Sequence, residues 1–108
     1  MLKKTTFRSL GRDENGYISA IKRVGFTDGT FNYYSVKPAG KNYSMWYAID
    51  PMTGLSVYNC GKRIEVIEYV NSIEFLKKFE DYKNTDKYKD AVNFWYKKQI
   101  ECGAIIEI

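Results

Sequence analysis

Along the first part of the chain, hydrophobic and polar positions alternate with a period of two, and Gly-marked turns punctuate them. Thr5–Leu10 is a short candidate strand, followed by the turn Asp13-Glu14-Asn15-Gly16. Tyr17–Phe26 comes next: Ile18, Ala20, Val24 and Phe26 alternate onto one face, with Lys22 as the exception. In Thr27-Asp28-Gly29-Thr30 the Asp-Gly pair suits a type I′ hairpin, because both residues tolerate the positive φ that turn demands. The return strand Phe31–Lys37 stops at Pro38, which has no N–H to give a ladder. The loop Ala39-Gly40-Lys41-Asn42 leads into Tyr43–Asp50, and Pro51-Met52-Thr53-Gly54 turns the chain into Leu55–Cys60. Antiparallel strands joined by tight turns make a meander.

After Lys62-Arg63 the period changes. Ile64–Val70 fits a strand by its β-branched residues and a helix by the spacing of Ile64, Ile67 and Tyr69/Val70; helix is the preferred reading. Asn71 with Glu74 three residues on resembles a capping box, and Ile73, Leu76 and Phe79 then keep helical spacing to about Lys83. Asn84-Thr85-Asp86 ends that helix and caps the next, whose Tyr88, Ala91, Val92, Trp95 and Gln99 line one side as far as Cys102. Gly103 suits the left-handed residue after a helix, and the tail Ala104–Ile108 supplies a short candidate strand. The expected fold class is α+β: one domain over 1–108, an antiparallel meander of four to six strands with two or three C-terminal helices on one face.

Composition sharpens this picture. The chain has 108 residues, 44% hydrophobic and 17% aromatic, enough for a packed core. It has no histidine, which removes Ser-His-Asp and Cys-His schemes and His-based metal sites. Its formal charge of +4 is unevenly spread: residues 1–63 hold ten Lys and Arg against four Asp and Glu, and residues 64–108 hold seven against nine. The strand half is thus +6 and the helical half −2. Helices on one face leave the other face of a sheet to solvent, so cations interleaved with Tyr17, Tyr33, Tyr34, Tyr43, Tyr47, Tyr58 and Trp46 imply a basic aromatic sheet face.

Other motifs carry less. Lys22-Arg23-Val24-Gly25-Phe26 starts like an RNA-recognition signature but runs into the Asp28-Gly29 turn, and the element order differs from that fold. Asp50, Thr53 and Gly54 are not contiguous, so they read as a turn and not as an acid-protease site; Gly61-Lys62-Arg63 lacks a phosphate loop. Asp13/Glu14, Glu65/Glu68 and Glu80/Asp81 read as solvated carboxylates, poor acids near neutrality. Cys60 has only Lys62 near it as a base, and Cys60 and Cys102 are read as reduced thiols. Trp46 alternates with Ser44, Ala48 and Asp50, a small and polar set, which suggests the exposed face.

These features point to a non-enzymatic binding module with no cofactor and no metal. Lys22, Arg23, Tyr34, Lys37, Lys41, Trp46, Tyr58, Lys62 and Arg63 are the candidate contact residues, rings as anchors and cations as steering charges. The expected partner is an acidic protein surface or a nucleoprotein complex; direct nucleic-acid binding through phosphate contacts and stacking is the alternative. No membrane partner is expected, a cytoplasmic location is, and exposed strand edges leave monomer and homodimer open. Abundant Lys, Asn, Tyr and Ile give the composition of small accessory proteins from AT-rich bacterial genomes and their phages, a group that includes anti-defence inhibitors such as anti-CRISPR proteins. That likeness is compositional and assigns no residue a role.

Overall fold

The computed structural model describes residues 2–104. Five strands come first: β1 (Lys3–Arg12), β2 (Ile18–Thr27), β3 (Asn32–Val36), β4 (Met45–Ile49) and β5 (Ser56–Cys60). They pair antiparallel in the order of the chain. Three helices follow and pack against the sheet: α1 (Arg63–Val70), α2 (Ile73–Lys83) and α3 (Asp86–Glu101). The α+β meander read from the sequence is therefore the fold, and the ambiguous 64–70 segment is helical. Of the tail Ala104–Ile108, expected as a possible last strand, residues 105–108 lie outside the described residues.

The turns set the register. Asp13 accepts hydrogen bonds from the N–H groups of Asn15 and Tyr17 on Oδ1, and Gly16 takes φ 83°, which aligns β1 and β2 over ten residue pairs from Lys3↔Thr27 to Arg12↔Ile18. The Asp28 turn is not type I′. Only Gly29 has positive φ; Asp28 instead uses Oδ1 to accept from the N–H groups of Thr30 and Phe31 in a longer loop. β2 then pairs with β3 at only two positions, Phe26↔Tyr33 and Thr27↔Asn32. A Cβ on Gly25 would overlap the Tyr33 carbonyl, so glycine there lets the two strands touch before they part. The outer edge of β1 bends round to the β4–β5 turn, where the Leu10 N–H donates to the Gly54 carbonyl at 2.7 Å.

The core lies between the sheet and the helices. Phe31, Tyr33 and Ala48 meet Val66 and Val70 of α1 and Phe75 of α2, all buried. On α2 the inward residues are Phe75 and Phe79, whose rings stack at 5.8 Å and reach Phe31; Ile73 is 88% exposed and Leu76 is also exposed, contrary to the face expected from spacing. The shift has a local cause. Ser72, not Asn71, caps α2 by accepting from the Phe75 N–H, while Asn71 closes α1, so the helix starts one residue later. Thr85 caps α3 in the same way through the Tyr88 N–H. At the other end of α3, Gly103 at φ 78° donates to Ile100 and Ala104 donates to Gln99, closing the helix as expected. α3 is anchored by Trp95, whose indole N–H donates to the Pro51 carbonyl at 3.2 Å and whose ring lies against Gly54.

Candidate binding surface

The strand registers divide the candidate residues between the two sheet faces. Trp46 and Tyr58 alternate with Ala48 in the cross-strand pairs Trp46↔Cys60 and Ala48↔Tyr58, so they share the face that α1 covers. The Tyr58 ring packs on Tyr69 of α1 at 4.4 Å and is half-buried. Trp46 is half-buried against the core, which corrects its expected exposure. Its small and polar neighbours have structural reasons: Ala48 makes room for α1, and Asp50 is buried in the next turn.

α1 does not cover this face completely. It starts at Arg63, which is exposed and lays its guanidinium across two half-buried rings, 5.3 Å from the Phe26 centroid and 5.6 Å from Trp46. Phe26 and Trp46 lie 6.4 Å apart. Period two places Val24 and Lys22 beside Phe26 on the same side of β2, and both are exposed, Val24 at 71%. Lys62 adjoins Arg63 and, among the described residues, is the one sheet-half cation with a carboxylate within 4.0 Å, Glu65 at 3.9 Å. Glu65 also accepts the Cys60 thiol hydrogen at 3.1 Å. The hydrogen-bond partner of the Cys60 thiol is thus the Glu65 carboxylate. Cys60 and Cys102 are both free, as expected.

The opposite face is not an open aromatic surface. Tyr34 is only 9% exposed: it stacks on Tyr47 at 5.3 Å, meets Phe7 at 6.1 Å, and carries the Arg23 guanidinium 4.4 Å above its ring. Arg23 also donates its Nε–H to the buried Ser9 hydroxyl at 3.0 Å. These two residues form a small second core between the β1–β2 hairpin and β3–β4. Lys37 and Lys41 are exposed in the segment linking β3 and β4, away from both clusters. The structure thus brings Trp46, Lys62, Arg63 and Lys22 to one surface, pairs Arg23 with Tyr34 on the other, and leaves Tyr58 under α1.

Two carboxylates, Asp50 buried and Asp28 half-buried, serve the fold. Asp50 accepts from the Met52 N–H at 2.9 Å and from the Tyr88 hydroxyl at 2.8 Å. Burial, and next the hydrogen bond to Asp50, raises the Tyr88 pKa well above its ordinary value, so this hydroxyl stays a donor. Asp28 accepts from the Tyr33 hydroxyl and from Asn71 at 3.1 Å. Burial pushes the Asp28 pKa up, but its hydrogen bonds from Phe31, Tyr33, Asn71 and Thr30 together hold it below the usual value. Burial first, and then the Asp28 bond, raises Tyr33. Sequence spacing left Phe26 out of the surface because its contact with Arg63 spans most of the sheet. The register signal was present in the Asp28 loop, which sets Phe26 opposite Tyr33 and so two strands from β4.

No helix among the described residues is long and apolar enough to cross a membrane. Comparison with protein-family models, with curated proteins and with solved structures finds no match to this chain.

Proposed function

We propose that the chain is a non-enzymatic binding module that docks its Phe26–Arg63–Trp46 surface onto an acidic protein surface, free or within a nucleoprotein complex. One observation carries this reading. Of the ten sheet-half cations only Lys62 has a carboxylate within 4.0 Å among the described residues, so the positive charge of this half is left for a partner. Half-buried rings at the foot of an exposed arginine give such a partner an anchor with little side-chain entropy to lose. A module of this size that acts by occupation is an inhibitor of what it covers, the action expected of a phage or mobile-element accessory protein.

Capture of a specific protein from nuclease-treated extracts tests this. Arg63→Glu is expected to weaken that capture by about tenfold or more, with little change in melting temperature, since Arg63 is exposed. Undiminished capture by Arg63→Glu removes the proposed surface. The second reading, direct nucleic-acid binding, is favoured by the same rings, which can stack on unpaired bases. It requires affinity to fall with log[salt] by about 0.7 to 0.9 per phosphate contacted. Failure of both single-stranded and duplex probes to bind at about 50 mM salt ends it.

A further inference from the structure

We propose that the outer edge of β1 is a strand-docking site that takes an extended, acidic segment of a partner protein. The inference rests on the binding-module reading and specifies the form in which the partner presents itself. β1 is the outermost strand, and its direction of bonding can be read residue by residue. Leu10 lies opposite Ala20 but sends its N–H to Gly54, away from β2. Successive residues of a strand turn their N–H and C=O groups to opposite sides. Lys4, Thr6 and Arg8 therefore share the outward direction of Leu10, while Thr5, Phe7 and Ser9 bond inward to β2.

Two contacts on β2 agree with this parity. Phe26, opposite Lys4, turns its backbone away from β1 to pair with Tyr33 of β3. The Ala20 carbonyl, opposite Leu10, is free of the β1 ladder and accepts from the Arg8 guanidinium at 2.7 Å. Among the described residues, the outward backbone groups of Lys4, Thr6 and Arg8 have no backbone partner. The ten-pair β1–β2 register contains no bulge and β1 contains no proline, two common devices that spoil an edge for pairing.

Charge decides what the edge accepts. Lys3, Lys4, Arg8 and Arg12 are the charged residues of β1, and none has a carboxylate within 4.0 Å among the described residues. A second copy of β1 would set these cations against one another, and like charges directly opposite destabilise a pair. An acidic strand meets the opposite situation. Lys4 and Arg8 lie four residues apart on one face, with Lys22 next to Arg8 on β2, so carboxylates at alternate positions of the incoming strand face a basic row.

The test uses the full chain and two synthetic peptides of about ten residues, one alternating Glu with Val and one with Lys in place of Glu. Amide exchange and chemical shifts are read by NMR. The acidic peptide is expected to slow exchange of the Lys4, Thr6 and Arg8 amides by about tenfold or more and to leave Thr5, Phe7 and Ser9 little changed. The Lys peptide is expected to do neither. Thr6→Pro removes one outward N–H without removing a β1–β2 bond, and is expected to weaken the acidic peptide by about tenfold. Lys4→Glu, which alters only charge, is expected to weaken it as well and covers a failure of Thr6→Pro to fold. Shifts confined to Phe26, Trp46 and Arg63 overturn the strand site while the binding-module reading stands. No response to the acidic peptide anywhere overturns both. Protection of Lys4, Thr6 and Arg8 already in the free protein overturns the strand site, because the edge is then occupied by the chain itself or a second copy.

Discussion

In the helical half, three of the seven lysines find carboxylates one turn away among the described residues: Lys78 meets Glu74 at 3.3 Å, Lys83 meets Glu80 at 3.1 Å and Lys98 meets Glu101 at 3.0 Å. In the sheet half, the fixed cations rest on rings and carbonyls instead. Arg23 covers Tyr34, Arg63 covers Phe26 and Trp46, Arg8 donates to the Ala20 carbonyl and Arg12 to the Gly16 carbonyl. Rings and carbonyls orient a guanidinium without neutralising it. The helical half is near charge balance, seven lysines against nine carboxylates with three of the lysines paired, while the sheet half projects a positive field. Such a field raises encounter rates with acidic partners and is damped by salt. Charge in this protein is local bookkeeping on the helices and a surface property on the strands.

The comparison breaks most completely if the β1–β2 hairpin is detached from the rest of the sheet, since six of the nine sheet-half cations without a carboxylate among the described residues ride on it. Gly25→Ala is the expected means. The new Cβ meets the Tyr33 carbonyl at a junction of only two residue pairs, where backbone has nowhere to move without breaking them. A cost of about 3 kcal/mol or more is expected, seen as a drop of roughly 12 °C or more in melting temperature. A smaller drop than about 4 °C would mean that the hairpin holds by Leu10–Gly54 and the Arg23–Tyr34 contact alone.

Trp46→Ala comes next. The ring is packed against the core and is half-buried, so truncation is expected to cost about 2–3 kcal/mol in thermal or denaturant unfolding. Arg63→Ala on top of it is expected to cost less than about 1 kcal/mol. If the two are equal, the ring is surface and not core, and the face assignment from the β4–β5 register fails.

These two sites show what the sequence made legible. The period-two pattern, the Gly turns and the switch after Arg63 carried the meander and the helices, because each depends on neighbours within a few residues. Local chemistry also placed the α3 cap within Asn84-Thr85-Asp86, where Thr85 supplies it, and the stop at Gly103. The α2 face was misread because Asn71 and Ser72 are both capable caps, and only packing chooses between them. The site was less legible. Tyr34 and Trp46 are alike in type and in strand setting, yet which face each occupies depends on where α1 lands and on how the hairpin folds back. Both are contacts between residues distant in sequence.

Arg23→Ala sharpens the comparison on the sheet side. It removes the cation from Tyr34 and leaves the Ser9 hydroxyl, fully buried, without its donor. A loss of about 2 kcal/mol is expected, and Arg23→Lys should recover little of it, because an ammonium matches neither the planar stack nor the Nε–H bond. Asp28 gives a smaller, pH-dependent effect. Its folded pKa lies below its unfolded value, so its contribution is present above about pH 4 and fades as pH falls through the folded pKa. Between pH 5 and pH 3 the wild-type chain is expected to lose more stability than Asp28→Asn does. Parallel acid curves for the two would remove the Tyr33–Asp28–Asn71 network from the account.

Lys78→Ala is expected to have the smallest effect, and it tests the helical side of the comparison. Both partners of Lys78–Glu74 are about 70% exposed, so water screens the pair and ordering two long side chains offsets most of the attraction. A change below about 0.5 kcal/mol is expected, shrinking further at high salt. Losing Lys78 also frees Glu74, which makes the helical surface more acidic without touching the sheet. Binding of an acidic partner to the sheet should then stay the same to within about twofold, since α2 contributes no residue to either proposed surface. A loss of partner affinity in Lys78→Ala comparable to that of Arg63→Glu would show that the two halves do not divide the charge as described, and that the partner spans both.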